Sequence, residues 1–158
     1  MIKLLMCNIN YVKEVNVPTS FIKNEYSKSE YYLISLGLKK FYNISSFDVI
    51  YKNGKPFIKD EKIYISISHD KDYVICAFSD DLVGCDIQFF NKKASINKLL
   101  NISEDINYID STILFSKKEA IVKLHGTSLK NINDYNIEDY VFLTYKTNKY
   151  VINMASKK

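Results

Sequence analysis

Asp86 and Gln88 stand two residues apart in the segment Val83-Gly84-Cys85-Asp86-Ile87-Gln88. In a strand, the period of two puts Val83, Cys85 and Ile87 on one face and Gly84, Asp86 and Gln88 on the other. A carboxylate in mid-strand, with a glycine leaving space beside it, is unusual unless something polar binds there. The carboxylate and the amide oxygen two residues on can both face one hard cation such as Mg2+. An exposed polar sheet face accounts for the same residues equally simply. Further on, Phe115-Ser116-Lys117-Lys118-Glu119-Ala120-Ile121-Val122-Lys123 sets Glu119 and Lys123 one helical turn apart. That order is also the favourable one for an ordinary surface pair, worth about 0.2–0.5 kcal/mol. Ser68-His69 closes an alternating run, and Gly54-Lys55-Pro56 precedes it. An imidazole near Lys55 could hold a phosphate, or His69 could be a plain strand-end residue.

The elements that must position these groups follow from periodicity. Residues 2–9 read as a first strand, and a helix is expected from about Thr19 to Tyr42 on Phe21, Tyr32, Leu33, Leu36 and Phe41. Phe47 to Tyr51 is a short strand ending in the turn Lys52-Asn53-Gly54-Lys55-Pro56. Ile63 to Ser68 alternates strictly, so Ile63, Ile65 and Ile67 face a core. Tyr73 to Phe78 is continuously apolar and reads as a central strand, and Leu82 to Gln88 is expected to complete a three-stranded meander. Asn97–Leu100 and Glu104–Ile109 are short helical candidates. A longer helix capped by Asp110 or Ser111 should run to His125 and stop at Gly126. A hairpin of Tyr140–Lys146 and Lys149–Met154 turns at Thr147-Asn148. The class is α+β, with residues 1–81 and 82–158 as two similar halves of one structural unit.

Composition narrows the function. The 158 residues carry 22 basic and 18 acidic side chains, and every basic one is Lys. Without Arg or a concentrated basic stripe, nucleic-acid binding is disfavoured. No apolar run approaches the roughly 18 residues of a membrane helix, and no signal peptide is evident, so a cytoplasmic location is expected. Cys7, Cys76 and Cys85 have no paired spacing and read as buried reduced thiols. His69 and His125 match no familiar zinc pattern.

Together the segments are more specific than any one alone. The GKP turn at 54–56, Ile65-Ser66-Ile67-Ser68-His69, the VGCDIQ strand and the FSKKEAIVK helix resemble, in order and spacing, the signature of the 4′-phosphopantetheinyl transferases. The likeness is to the branch that activates surfactin synthetase, and it spans roughly residues 28–130. It implies a pseudo-twofold α+β fold with the site between the halves, and a monomer. It implies transfer of the phosphopantetheine arm of coenzyme A to a serine of an apo acyl or peptidyl carrier protein, releasing adenosine 3′,5′-bisphosphate. By motif position Asp86, Glu119 and Gln88 would hold Mg2+ or Mn2+. Glu119 would also serve as base, Lys123 would bind phosphate with Lys118 in support, and His69 with Lys55 would hold the 3′-phosphate of coenzyme A. Ser68 and Lys28 are further candidates for coenzyme contacts.

The chain departs from the family in Gln88 for the usual Glu, Phe115 for Trp, Leu33 at an Arg position, Ser128 for Gly, and a shorter length. The alternative is a weak or inactive relative that binds coenzyme A or a carrier protein without turnover.

Overall fold

The computed structural model describes residues 1–12, 15–90, 94–103 and 106–158. Strands β1 (Lys3–Asn8), β2 (Val49–Lys52), β3 (Lys55–Ile58), β4 (Tyr64–Asp70) and β5 (Tyr73–Ser79) form an antiparallel sheet in the order β1-β5-β4-β3-β2. Strands β6 (Gly84–Phe89), β7 (Tyr140–Lys146) and β8 (Tyr150–Lys157) form a second, in the order β6-β8-β7. Helix α1 (Ser27–Tyr42) covers the first sheet; α2 (Ala94–Leu100) and α3 (Tyr108–His125) belong to the second. The class is α+β. Both sheets share one connectivity, namely a strand, a long helix, then a hairpin whose second strand returns beside the first. Only the first sheet adds the β2–β3 hairpin.

The long apolar strand is central because both its faces find a partner. Val74, Cys76 and Phe78 pack under α1 with Leu33, Ile34 and Leu38, while Ile75 and Ala77 face Cys85, Ile87, Ile152 and Met154 of the second sheet. Gly37 admits the Phe78 ring, whose nearest atom lies 2.1 Å from where a Cβ would sit. Leu33 is buried in that core.

The expected meander does not form. Both edges of β5 are taken, by β1 and β4, so no edge remains for β6. Instead β4 approaches the edge of β6 side-on. Cys85 N donates to Ser66 Oγ at 3.0 Å, Ile87 N to Ser68 Oγ at 3.4 Å, and Phe89 N to Asp70 Oδ2 at 2.7 Å. The alternation that turned Ile63 and Ile65 inward thus turned Ser66, Ser68 and Asp70 toward β6, where they satisfy backbone groups that burial would otherwise leave costly.

Other boundaries shift for local reasons. Thr19–Phe21 is a single 3-10 turn, and α1 starts only at Ser27. Asn24 Oδ1 accepts from Tyr26 N and Ser27 Oγ from Lys23 N, bonds that compete with an earlier helix. The cap of α3 is Asn107, accepting from Ile109 N at 2.9 Å, rather than Asp110 or Ser111. Gly126 ends α3 as expected, at φ 66. The candidate Glu104–Ile109 falls partly on residues 104 and 105, which lie outside the described residues. No helix among the described residues is long and apolar enough to cross a membrane.

Candidate functional site

A cavity of about 570 Å3 opens between the two sheets. One wall is built by β6 and α3. Period two on β6 presents Asp86 and Gln88, and one turn of α3 presents Glu119 and Lys123. Gly84 decides how close these elements come. A Cβ there would lie 1.9 Å from Ala120 O and 2.5 Å from Leu124 N. The expectation that Gly84 leaves open space for a ligand is therefore corrected, because the α3 backbone fills it.

The polar groups on this wall form one network. Asp86 is fully buried. Its Oδ1 accepts from Ser68 Oγ at 2.8 Å and from Lys123 Nζ at 2.8 Å, and its Oδ2 accepts from Gln88 Nε2 at 3.0 Å. Gln88 Nε2 also donates to Glu119 Oε2 at 3.1 Å, so one amide nitrogen spans both carboxylates. Carboxylates only accept, which fixes the nitrogen rather than the oxygen as the atom between them. Lys123 Nζ also donates to Ser68 Oγ at 2.7 Å. Burial alone would depress the Lys123 pKa, but the Asp86 and Glu119 carboxylates outweigh it and hold the ammonium above its usual range.

The opposite wall comes from the first sheet. Asn53 and Gly54 take positive φ, 51 and 78, and turn β2 into β3. Lys55 follows, buried, with Nζ donating to Val83 O at 3.0 Å and Leu124 O at 2.8 Å. Burial pushes its pKa down to about 8. Its ammonium is thus engaged in tying β3 to the start of β6 and the end of α3. His69 stacks on Tyr26 with ring centroids 3.9 Å apart, at the cavity wall. Loss of solvent, then the Lys123 charge, lowers the His69 pKa below its ordinary value.

Of the sequence-derived candidates, Lys55, Ser68, His69, Asp86, Gln88, Glu119 and Lys123 line this one cavity. Lys118 points elsewhere, donating to Ile132 O at 3.2 Å and Asn133 Oδ1 at 3.4 Å. Lys28 is exposed on the first turn of α1 and is not among the lining residues. Sequence reasoning missed Lys23, Glu30 and Tyr51, which also line the cavity. Lys23 Nζ sits 3.3 Å from the Tyr51 ring centroid. Burial raises the Glu30 pKa, against the opposing charges of Lys23 and Lys123. No periodicity or motif marks these three, because Lys23 ahead of α1, Glu30 on α1 and Tyr51 on β2 meet only in the folded chain.

Among the described residues no three His, Cys, Asp or Glu side chains gather as a metal-holding group. Two carboxylates and a carboxamide are nonetheless hard oxygen donors within reach of one another, a set that suits Mg2+ once the amide turns its oxygen inward. No protein-family model matches the chain, and the search of curated proteins finds no match.

Proposed function

We propose that this chain is a 4′-phosphopantetheinyl transferase, moving the phosphopantetheine arm of coenzyme A to a serine of an apo carrier protein. The observation that carries the reading is convergence. Segments separated by up to 69 positions, from the GKP turn to the end of α3, meet at one cavity between two sheets of like connectivity. That connectivity supports the pseudo-twofold transferase fold. The volume of about 570 Å3 suits an extended cofactor-sized ligand.

The residues have work that fits. Asp86, Glu119 and the Gln88 carboxamide would hold Mg2+, which would offset charge on the diphosphate as the serine oxygen attacks phosphorus. The Glu119 carboxylate would take the proton of the incoming hydroxyl. Lys123, kept cationic by Asp86 and Glu119, would meet a phosphate oxygen. Ser68 holds both Asp86 and Lys123. His69, which lines the same cavity, would touch the remote end of the coenzyme.

The deciding experiment incubates the protein with coenzyme A, Mg2+ and a panel of apo carrier proteins, following carrier mass. Addition of the phosphopantetheine mass by the wild type, with none from Asp86→Ala or Glu119→Ala, supports the reading; no addition to any carrier defeats it. One observation favours the second reading, a coenzyme-binding module without turnover: Gln88 already donates to an oxygen of each carboxylate from within the protein. Coenzyme A binding unaffected by Mg2+, without transfer, would select it.

A further inference from the structure

The two edges of the three-stranded sheet are treated differently. On β6 the outward N–H groups of Cys85, Ile87 and Phe89 are met by side chains of β4. Among the described residues, the order β6-β8-β7 leaves the outer edge of β7 without a neighbouring strand. In the five-stranded sheet, β4 holds the corresponding place, and there β3 and β2 continue outward. An uncovered edge is a template for another strand.

The hydrogen-bonding parity of β7 is readable. Thr147 N donates to Tyr150 O at 2.9 Å, closing the hairpin. Alternation along an antiparallel ladder then turns the backbone groups of Val141, Leu143 and Tyr145 toward β8, and those of Tyr140, Phe142, Thr144 and Lys146 outward. The side chains of Val141, Leu143 and Tyr145 share one face and are 47%, 50% and 56% exposed. Half-exposed apolar residues in a row beside a bare edge mark an interaction surface.

We propose that β7 pairs antiparallel with β7 of a second copy of this chain, about a twofold axis at Leu143. That register alone satisfies both patterns. Phe142 then lies opposite Thr144 of the second copy and Tyr140 opposite Lys146, so the outward groups exchange hydrogen bonds. Leu143 meets Leu143, and Val141 meets Tyr145. Moving the axis to Phe142 or Thr144 leaves one apolar residue unmatched, and placing it between residues pairs opposite faces. Charge agrees with the antiparallel sense. Glu138 and Asp139 precede β7, whereas Lys146 and Lys149 lie at its far end, so each acidic end comes beside a basic one. A parallel pairing would set like against like.

The proposal does not rest on the transferase reading, and it replaces the monomer that the family resemblance implies. Its test is sedimentation velocity over roughly 1–300 μM, the range expected of a small interface. A reversible monomer–dimer equilibrium is expected. Leu143→Lys puts two ammonium groups directly opposite and should raise the dimer Kd at least about tenfold, with unchanged circular dichroism. Leu143→Cys should cross-link on mild oxidation, since facing non-hydrogen-bonded residues have Cα atoms about 4.5 Å apart. Tyr145→Cys, which faces Val141 rather than itself, should not, nor should the wild type. A monomer at every concentration, an undiminished dimer in Leu143→Lys, or equal cross-linking through Tyr145→Cys would overturn the proposal.

Discussion

Ser68 donates its hydroxyl hydrogen to Oδ1 of Asp86 at 2.8 Å, joining the two sheets at the floor of the cavity. The same oxygen of Ser68 accepts from Lys123, so one hydroxyl orients both members of the Lys123–Asp86 ion pair. Ser68→Ala leaves a buried carboxylate with one donor fewer. A stability loss of about 1–3 kcal/mol is expected, read by denaturant unfolding. Transfer should fall mainly in kcat, because Ser68 positions the groups rather than gripping the coenzyme. A variant that loses only coenzyme affinity would return Ser68 to a direct contact.

Gln88→Glu replaces the shared donor by a third carboxylate facing two others. Repulsion should lower Tm in metal-free buffer, and added Mg2+ should restore it more steeply than in the wild type, because binding to the native state stabilises by mass action. The apparent Mg2+ midpoint for transfer should tighten as well. Thermal melts across a Mg2+ series check this. Equal Mg2+ responses in variant and wild type would remove residue 88 from the metal site.

Lys55 carries a pH signature. Its folded pKa of about 8 lies below the unfolded value of 10.5. Between these values the unfolded chain binds more protons, so this group makes stability rise with pH from about 8 to 10.5. Lys55→Met should abolish that increment, and should also destabilise throughout by orphaning Val83 O and Leu124 O. Unfolding at pH 7, 8.5 and 10 for both proteins measures the difference in slope. Parallel curves would mean the ammonium stays charged.

Gly84→Ala tests the packing of β6 on α3. The new methyl meets helix backbone, which cannot swing aside like a side chain. A cost of about 1–3 kcal/mol or more is expected. As α3 moves, Glu119 and Lys123 leave Asp86, so transfer should fall even where the protein remains folded. Full activity with native stability would show that the two elements can separate freely.

His69→Ala should raise the KM for coenzyme A far more than it lowers kcat, since a grip on a phosphate away from the reacting phosphorus counts as ground-state binding. Equal KM values for coenzyme A and its 3′-dephospho form in the wild type would argue against a phosphate contact there.

What the sequence determined by itself was local. Strict alternation over 63–68 set the faces of β4, the apolar run 73–78 made β5 central, and Asn53-Gly54 and Gly126 set a turn and a helix end, because these depend on neighbours within a few residues. Spacing also brought out Asp86, Gln88, Glu119 and Lys123, whose periods of two and four put each pair on one face. Only the tertiary structure decided that β6 leaves the first sheet, since that turned on β1 occupying the last free edge of β5 from seventy positions upstream. It decided too that Ser66, Ser68 and Asp70 cap β6, that Gly84 admits α3 rather than a ligand, and that Lys55 spends its protons on Val83 and Leu124. Lys23, Glu30 and Tyr51 entered the cavity wall only by packing. Hydrogen-bond partners such as these are chosen by which backbones burial brings together, and no local pattern in the chain records that choice.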